Sequence, residues 1–145
     1  MKVRDCMCNN VTWVKPNDFV CNCAKLMCDN HIGCVPVCND AQNIVGIVTD
    51  RDIILRSIAC DKDVKSTPVS EIMTCNVCSC TPDTHIDEVQ DLMKKNQIRR
   101  IPVMENNKIV GILTLGDLAA NPNINNEEVT NTLENICNCN KKNAE

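Results

Sequence analysis

The polar residues that recur at fixed spacing in this chain are a threonine and an aspartate three positions apart, each pair closing an apolar run. They stand as Gly46-Ile47-Val48-Thr49-Asp50-Arg51-Asp52 and again as Gly111-Ile112-Leu113-Thr114-Leu115-Gly116-Asp117. Two chemistries fit Thr-x-x-Asp. In a capping box the hydroxyl accepts from the amide three residues on and the acid reaches back, although Glu or Gln is the more usual fourth member. In a binding motif, a carboxylate held beside a helix N-terminus accepts both hydroxyls of a ribose while Thr and free amides face phosphate. The spacing alone leaves both open.

The other chemistry-bearing residues do not assemble a catalyst. His31 falls at a helix end and His85 in the first turn of another helix, and no Ser-His-Asp order, P-loop or His-Glu-x-x-His run occurs. The chain therefore reads as a non-enzyme with no catalytic cofactor. Thirteen cysteines stand out, among them Cys6/Cys8, Cys21/Cys23, Cys78/Cys80 and Cys137/Cys139 as Cys-x-Cys pairs and Cys75-x-x-Cys78. Thiolates two apart on an extended strand face one side and could share a soft metal. Cys6, Cys8, Cys75, Cys78 and Cys80 are the candidate cluster, and a cysteine-based metal or redox sensor is the rival reading. Against it, Cys23 lies on an apolar helix face, the pairs lack the two separated knuckles of a zinc ribbon, and Asn is enriched alongside Cys as a compositional bias would produce. The weight falls on scattered small hydrophobes and no metal.

Composition narrows the class further. With 145 residues there is room for one ordinary domain or two very small ones. Trp13 and Phe19 are the only aromatics, so aliphatic side chains must build the core and no stacking platform for single-stranded nucleic acid exists. A net charge of −4, with no basic run beyond Lys141-Lys142, removes the electrostatic source of nucleic-acid affinity. The opening Met1-Lys2-Val3-Arg4-Asp5 lacks a secretory apolar stretch, and the longest apolar runs are far short of the roughly 20 residues that cross a bilayer. The expectation is a cytoplasmic protein with reduced thiols and no membrane partner.

The two Thr-x-x-Asp runs belong to a tandem repeat. An offset of 66 places Val3 on Val69, Met7 on Met73, Val11 on Val77, Pro16 on Pro82, Leu26-Met27 on Leu92-Met93, Asn30 on Asn96, Ile32 on Ile98 and Pro36-Val37 on Pro102-Val103. After a one-residue deletion, Ile44-Val45-Gly46-Ile47, Thr49 and Asp52 meet Ile109-Val110-Gly111-Ile112, Thr114 and Asp117, for sixteen identities in all. Two units are too few for a solenoid, so two copies packed about a pseudo-twofold axis are expected. Residues 1–60 form the first repeat, 61–68 a polar linker ending in Pro68, 69–121 the second repeat, and 122–145 a C-terminal amphipathic helix and tail.

Each copy reads helix, strand, strand, helix after an extended lead-in, an α/β design. Val20, Cys23, Ala24 and Met27 make one helical stripe, and Ile86, Val89 and Met93 the other, with Asp83 and Thr84-x-x-Asp87 as the cap signal of the second. Cys34 to Val37 and Ile101 to Met104 are first strands; Ile44 to Val48 and Ile109 to Leu113 are second strands across polar turns. The last helices start at Thr49 and Thr114. Near the end, Val129, Leu133 and Ile136 line up on one face, which docks on its own domain or pairs with a second subunit.

With Val-Pro-Val or Ile-Pro-Val, then Ile-Val-Gly-Ile-x-Thr-x-x-Asp, and lead-ins Val3-Arg4-Asp5-Cys6-Met7 and Val69-Ser70-Glu71-Ile72-Met73, the two units resemble a pair of cystathionine-β-synthase (CBS) domains, a Bateman module, over about residues 1 to 120. The lead-in Ile-Met-Thr is intact as Ile72-Met73-Thr74 but reads Cys6-Met7-Cys8 in the first copy, and Cys21 and Cys23 replace the family's small or acidic residues. The resemblance implies an α/β sandwich per copy and an adenosine-containing ligand (AMP, ADP, ATP or S-adenosylmethionine) in clefts between copies. It implies that Asp52 and Asp117 hold ribose hydroxyls, and that Thr49 and Thr114 contact ribose or phosphate. Residues before the first strands border the ligand, Ile32 and Ile98 among them, with Val11 and Val77 on the adenine side.

The copies differ in charge. Arg99 and Arg100 replace Gly33 and Cys34, and Arg51 stands where copy two has Gly116. Guanidinium groups suit phosphate, so these three join the ribose/phosphate set, although a solvated helix end also explains the pair Arg99-Arg100. The reading is a stand-alone regulatory module that signals to an unidentified effector protein and forms a homodimer through Ile53, Ile54, Leu55, Ile58 and Leu118. A structural dimerisation module with degenerate sites is the other alternative.

Overall fold

A computed structural model describes residues 1–144, with side chains through residue 138. The chain runs α1 (Val20–Asn30), β1 (Cys34–Cys38), β2 (Ile44–Thr49), α2 (Asp50–Ile53), α3 (Ile86–Asn96), β3 (Arg100–Glu105), β4 (Lys108–Thr114), α4 (Leu115–Ala120) and α5 (Asn126–Ala144), with 3-10 turns at Val3–Asp5 and Val69–Glu71. It is a mixed α/β fold with two β-hairpin sheets and a C-terminal helix. No described helix is long and apolar enough to cross a membrane.

Two compact units form, and their limits differ from those of the sequence repeats. One holds Met1–Val11, Cys78–Asn106 and the chain from Val110 onward; the other holds Thr12–Val77 and Asn107–Ile109. Each unit thus combines the hairpin and helices of one repeat with the lead-in of the other.

In the Thr12–Val77 unit, β1 and β2 pair antiparallel with Val35 opposite Val48 and Val37 opposite Gly46, and a register shift follows at Cys38. Val14 extends the sheet in parallel beside Val37, its N–H donating to the Pro36 carbonyl at 3.0 Å. On the free edge of β2, Ile47 and Thr74 exchange N–H···O bonds of 3.0 and 2.9 Å. The hairpin closes because Asn39 Oδ1 accepts from the amides of Ala41 and Asn43 at 3.1 and 3.0 Å, a local side-chain substitute for backbone pairing. Val20, Cys23 and Met27 of α1 pack on Val35, Val37, Val48, Val69 and Ile72 as one core. The helix stripe of period 3.6 therefore meets the inner face of the hairpin.

The other unit repeats the plan. Cys80 pairs in parallel with Val103, and Cys8 exchanges bonds of 2.9 and 3.1 Å with Ile112 on the free edge of β4. The turn from β3 to β4 is tight: Asn106 and Asn107 have φ of 52° and 64°, the left-handed pair that a two-residue hairpin loop demands. Ile86, Val89 and Met93 join Ile101, Val103, Leu113 and Leu118 in the core.

Three local expectations need correction. The N-cap of α3 is His85, whose Nδ1 accepts from the Asp87 amide at 3.4 Å. The chain turns earlier than Thr84-x-x-Asp87 suggests, because Thr84 Oγ1 accepts from the Thr81 amide at 3.0 Å and Asp83 pairs with Arg4 and Lys2 at 2.7 and 3.2 Å. On α5 the buried stripe is Val129, Thr132 and Ile136, whereas Leu133 stays 40% exposed. Thr132 can take the inner position because Gln90, itself buried on α3, accepts from its hydroxyl at 3.1 Å. Ile53 and Leu118 lie inside the cores, leaving Ile54, Leu55 and Ile58 as the exposed apolar set. Those three sit on one widened turn after α2, where the Ala59 amide bonds to the Ile54 carbonyl five residues back.

Candidate functional site

Both Thr-x-x-Asp runs fold as reciprocal caps. β2 ends at Thr49, whose extended backbone turns the chain into α2; Asp52 Oδ2 accepts from the Thr49 amide at 2.9 Å, and the Asp52 amide donates to Thr49 Oγ1 at 3.2 Å. Thr114 and Asp117 repeat this at 2.9 and 3.0 Å. The caps fix each carboxylate at the end of its strand while using only one of its two oxygens. At Asp52, 14% exposed, the second oxygen lies 3.7 Å from Arg56 Nε, an interaction the sequence did not reveal. At Asp117, half-buried, Oδ1 has no protein partner among the described residues. A carboxylate oxygen with its lone pairs free is an acceptor for hydroxyl donors.

The lead-in exchange sorts the remaining candidates. Val11, Ile98, Arg99, Arg100, Thr114 and Asp117 belong to one unit; Ile32, Thr49, Arg51, Asp52 and Val77 belong to the other. Val11, Val77 and Ile98 are half-buried, and Ile32 and Arg51 are exposed. Arg99 and Arg100 stand at the entry to β3, and neither pairs with a carboxylate among the described residues.

A cavity of about 470 Å³ opens beside these arginines, with Thr114 and Leu115 also on its lining. Its far wall comes from Val129, Thr130 and Leu133 of α5. Asp117 is not among the lining residues, because consecutive residues of α4 point to different faces. The only trace of that wall in the sequence is the apolar spacing of Val129 and Leu133.

The described cysteines form no metal cluster, and the side chain of Cys139 lies outside the described residues. Among the described residues no group of three or more His, Cys, Asp or Glu is placed to hold a metal. Of the proposed cluster, Cys75 belongs to one unit and Cys6, Cys8, Cys78 and Cys80 to the other. Burial pushes the thiols of Cys23 and Cys38 up to about 11 and that of Cys80 to about 12, and it also raises Cys6 and Cys78. Desolvation disfavours the thiolate that redox and metal chemistry require.

Paired hairpin-and-helix units, each closing its second strand with a Thr-x-x-Asp cap, define a CBS domain pair. The CBS domain profile matches residues 3–58 and 69–122, and the chain belongs to that family. CBS domain-containing protein YhcV of Bacillus subtilis (strain 168) is 40% identical over 134 residues, covering 92% of this chain and 94% of that protein. The crystal structure of Hypoxic Response Protein I with two coordinated zinc ions matches with a TM-score of 0.77 and 30% identity, over 82% of this chain and 97% of that one. The CBS domain pair of protein MJ0100 in complex with 5′-methylthioadenosine and S-adenosyl-L-methionine matches with a TM-score of 0.75 and 28% identity, over 82% and 93% of the two chains. CBS-pair proteins of this kind are regulatory or signal-transduction modules.

Proposed function

We propose that this protein is a regulatory module that binds an adenosine-containing ligand, an adenine nucleotide or S-adenosylmethionine, and signals to an effector protein by a conformational change. The observation that carries this reading is the fixed but half-used carboxylate of Asp117, with Oδ1 unpartnered among the described residues. In this reading Asp52 and Asp117 accept ribose hydroxyls, Thr49 and Thr114 contact ribose or phosphate, and Val11, Val77, Ile32 and Ile98 flank the adenine. Arg51, Arg99 and Arg100 face the phosphates. The adenosyl ligands of the MJ0100 domain pair support the ligand class. Calorimetric titration with AMP, ADP, ATP, NAD and S-adenosylmethionine tests it: saturable heat from at least one is expected, and no response to any overturns it.

The same reading includes a homodimer working in the cytosol. The exposed apolar residues Ile54, Leu55 and Ile58, at 55%, 46% and 60%, support an interface there. Sedimentation at micromolar concentration should give a dimer, and Ile58→Asp a monomer.

A further inference from the structure

We infer that Arg56 ranks the two cap carboxylates: it is a built-in counter-ion of Asp52, so Asp117 takes a ribose freely while Asp52 takes one only by displacing the guanidinium. This rests on the ribose role of Asp52 and Asp117 proposed above and names the residue that makes them unequal. The caps themselves match, since each aspartate uses Oδ2 to accept from its threonine amide at 2.9 Å. The other oxygen differs. Asp52 Oδ1 lies 3.7 Å from Arg56 Nε, whereas Asp117 Oδ1 has no protein partner among the described residues. A ribose diol brings two O–H donors, and at Asp52 they meet an acceptor already facing an N–H.

The guanidinium is held in place from its other side. Arg56 Nη1 donates to the carbonyls of Ile72 and Met73, both at 3.3 Å, so the Val69–Met73 lead-in steadies the group while Nε faces the carboxylate. Asp52 is only 14% exposed, and a partly buried pair is screened by salt less than a surface one. The second repeat keeps the tie and drops the charge. The alignment that sets Asp117 on Asp52 sets Asn121 on Arg56, and Cys6 on Ile72. Asn121 Nδ2 donates to Cys6 Sγ at 3.3 Å, a neutral version of the same link between last helix and lead-in. Backbone explains why only one copy reaches its carboxylate. After Asp52 the chain stays helical through the widened turn to Ile58, which brings Arg56 one turn from Asp52; α4 instead ends at Ala120, and Asn121 is extended.

The test isolates Asp52 in an Asp117→Ala background and titrates adenosine, which carries ribose but no phosphate, by calorimetry, with circular dichroism verifying the fold of each variant. Adding Arg56→Gln removes the charge yet keeps an N–H donor for the Ile72 and Met73 carbonyls. It should tighten adenosine about two- to fivefold, the range of a part-exposed ion pair. Arg56→Lys keeps the charge and should bring no gain. 2′-Deoxyadenosine, one hydroxyl short, should gain less from Arg56→Gln than adenosine does. Adenosine binding that is absent, unchanged or weaker in Arg56→Gln overturns the inference, and so does an equal gain in Arg56→Lys, which would mark a packing effect. The two failures are distinct: if the wild-type protein still binds an adenosine-containing ligand, only the ranking by Arg56 falls, whereas a wild-type protein that binds none removes the ribose role and the ranking together.

Discussion

The sulfur of Met73 occupies the space above Gly46: a Cβ on that glycine would stand 2.5 Å from Met73 Sδ and 3.1 Å from the Thr74 carbonyl oxygen. Gly111 and Met7 repeat the contact at 2.8 Å, with the Cys8 carbonyl oxygen at 3.0 Å. The glycine thus lets a lead-in lie flat on the second strand of a hairpin. Gly46→Ala and Gly111→Ala should each destabilise by about 1–3 kcal/mol, the usual penalty for overpacking, as read from urea unfolding midpoints. The thioether can yield and the carbonyl cannot, so adding Met73→Ala to Gly46→Ala should recover only part of the loss.

Asp117 and Arg100 should separate sugar from phosphate. Asp117→Ala removes the acceptor for ribose hydroxyls and should weaken adenosine and ATP alike. Arg100→Ala should weaken ATP or ADP by about tenfold to a hundredfold more than adenosine, because a lost charged bond is worth roughly 1.5 to 3 kcal/mol. Parallel calorimetric titrations decide it, and equal losses for adenosine and ATP in Arg100→Ala would reduce that arginine to a solvated cation. The Asp117 variant should also lose about 1 kcal/mol of stability with its cap.

Helix α5 is held by a buried polar contact as well as by apolar packing. Thr132 Oγ1 is shared between Gln90 Oε1 at 3.1 Å and the Glu128 carbonyl at 2.8 Å, and both Thr132 and Gln90 are buried. Thr132→Val keeps the shape but strands the Gln90 oxygen, at a cost of about 1–3 kcal/mol. Pairing it with Gln90→Leu should restore most of that in a double-mutant cycle followed by thermal unfolding.

High pH should unfold the protein. Burial raises the folded thiols of Cys23 and Cys38 to about 11 and of Cys80 to about 12, from the ordinary 9.0. Folding therefore favours the protonated thiols, and their contribution is complete below pH 9.0 and lost as pH rises toward 11 to 12. Each such thiol removes about 1.4 kcal/mol per pH unit in that window. At pH 8 a thiol of pKa 11 is only about one part in a thousand thiolate. Iodoacetamide followed by mass spectrometry should accordingly label exposed Cys8, Cys28, Cys60 and Cys75 well before these three.

The hairpins and first helices are legible in the sequence because burial writes itself as periodicity: Val20, Cys23 and Met27 recur at the helical interval, and the buried strand Cys34–Cys38 reads as an apolar run. The Thr-x-x-Asp caps are legible because the bonds are local. What escapes is settled by partners distant in sequence. Leu133 fits the helical stripe as well as Thr132 does, and only Gln90, 42 residues away, lifts the penalty on burying the threonine. Arg56 beside Asp52 depends on how the turn after α2 widens, and the α5 wall of the cavity depends on where a separate helix docks. The shared register of Met7 with Met73 marks the lead-ins as repeated but carries no sign of which hairpin each joins.

The exchange of lead-ins bears on how the chain is made. On the ribosome, residues 1–11 are made well before the strand edge they complete, at Ile112. The first hairpin in turn stays open along Ile47 until Thr74 arrives. Domains ordinarily fold one at a time as they appear, the earlier before the later. Here the first repeat cannot finish on its own residues, and the second cannot finish without a segment made some seventy residues before it. Apart from Asn107–Ile109, the unit around the first hairpin therefore has all its residues once Val77 is made, while residues 1–11, made before it, wait for the second hairpin to accept them.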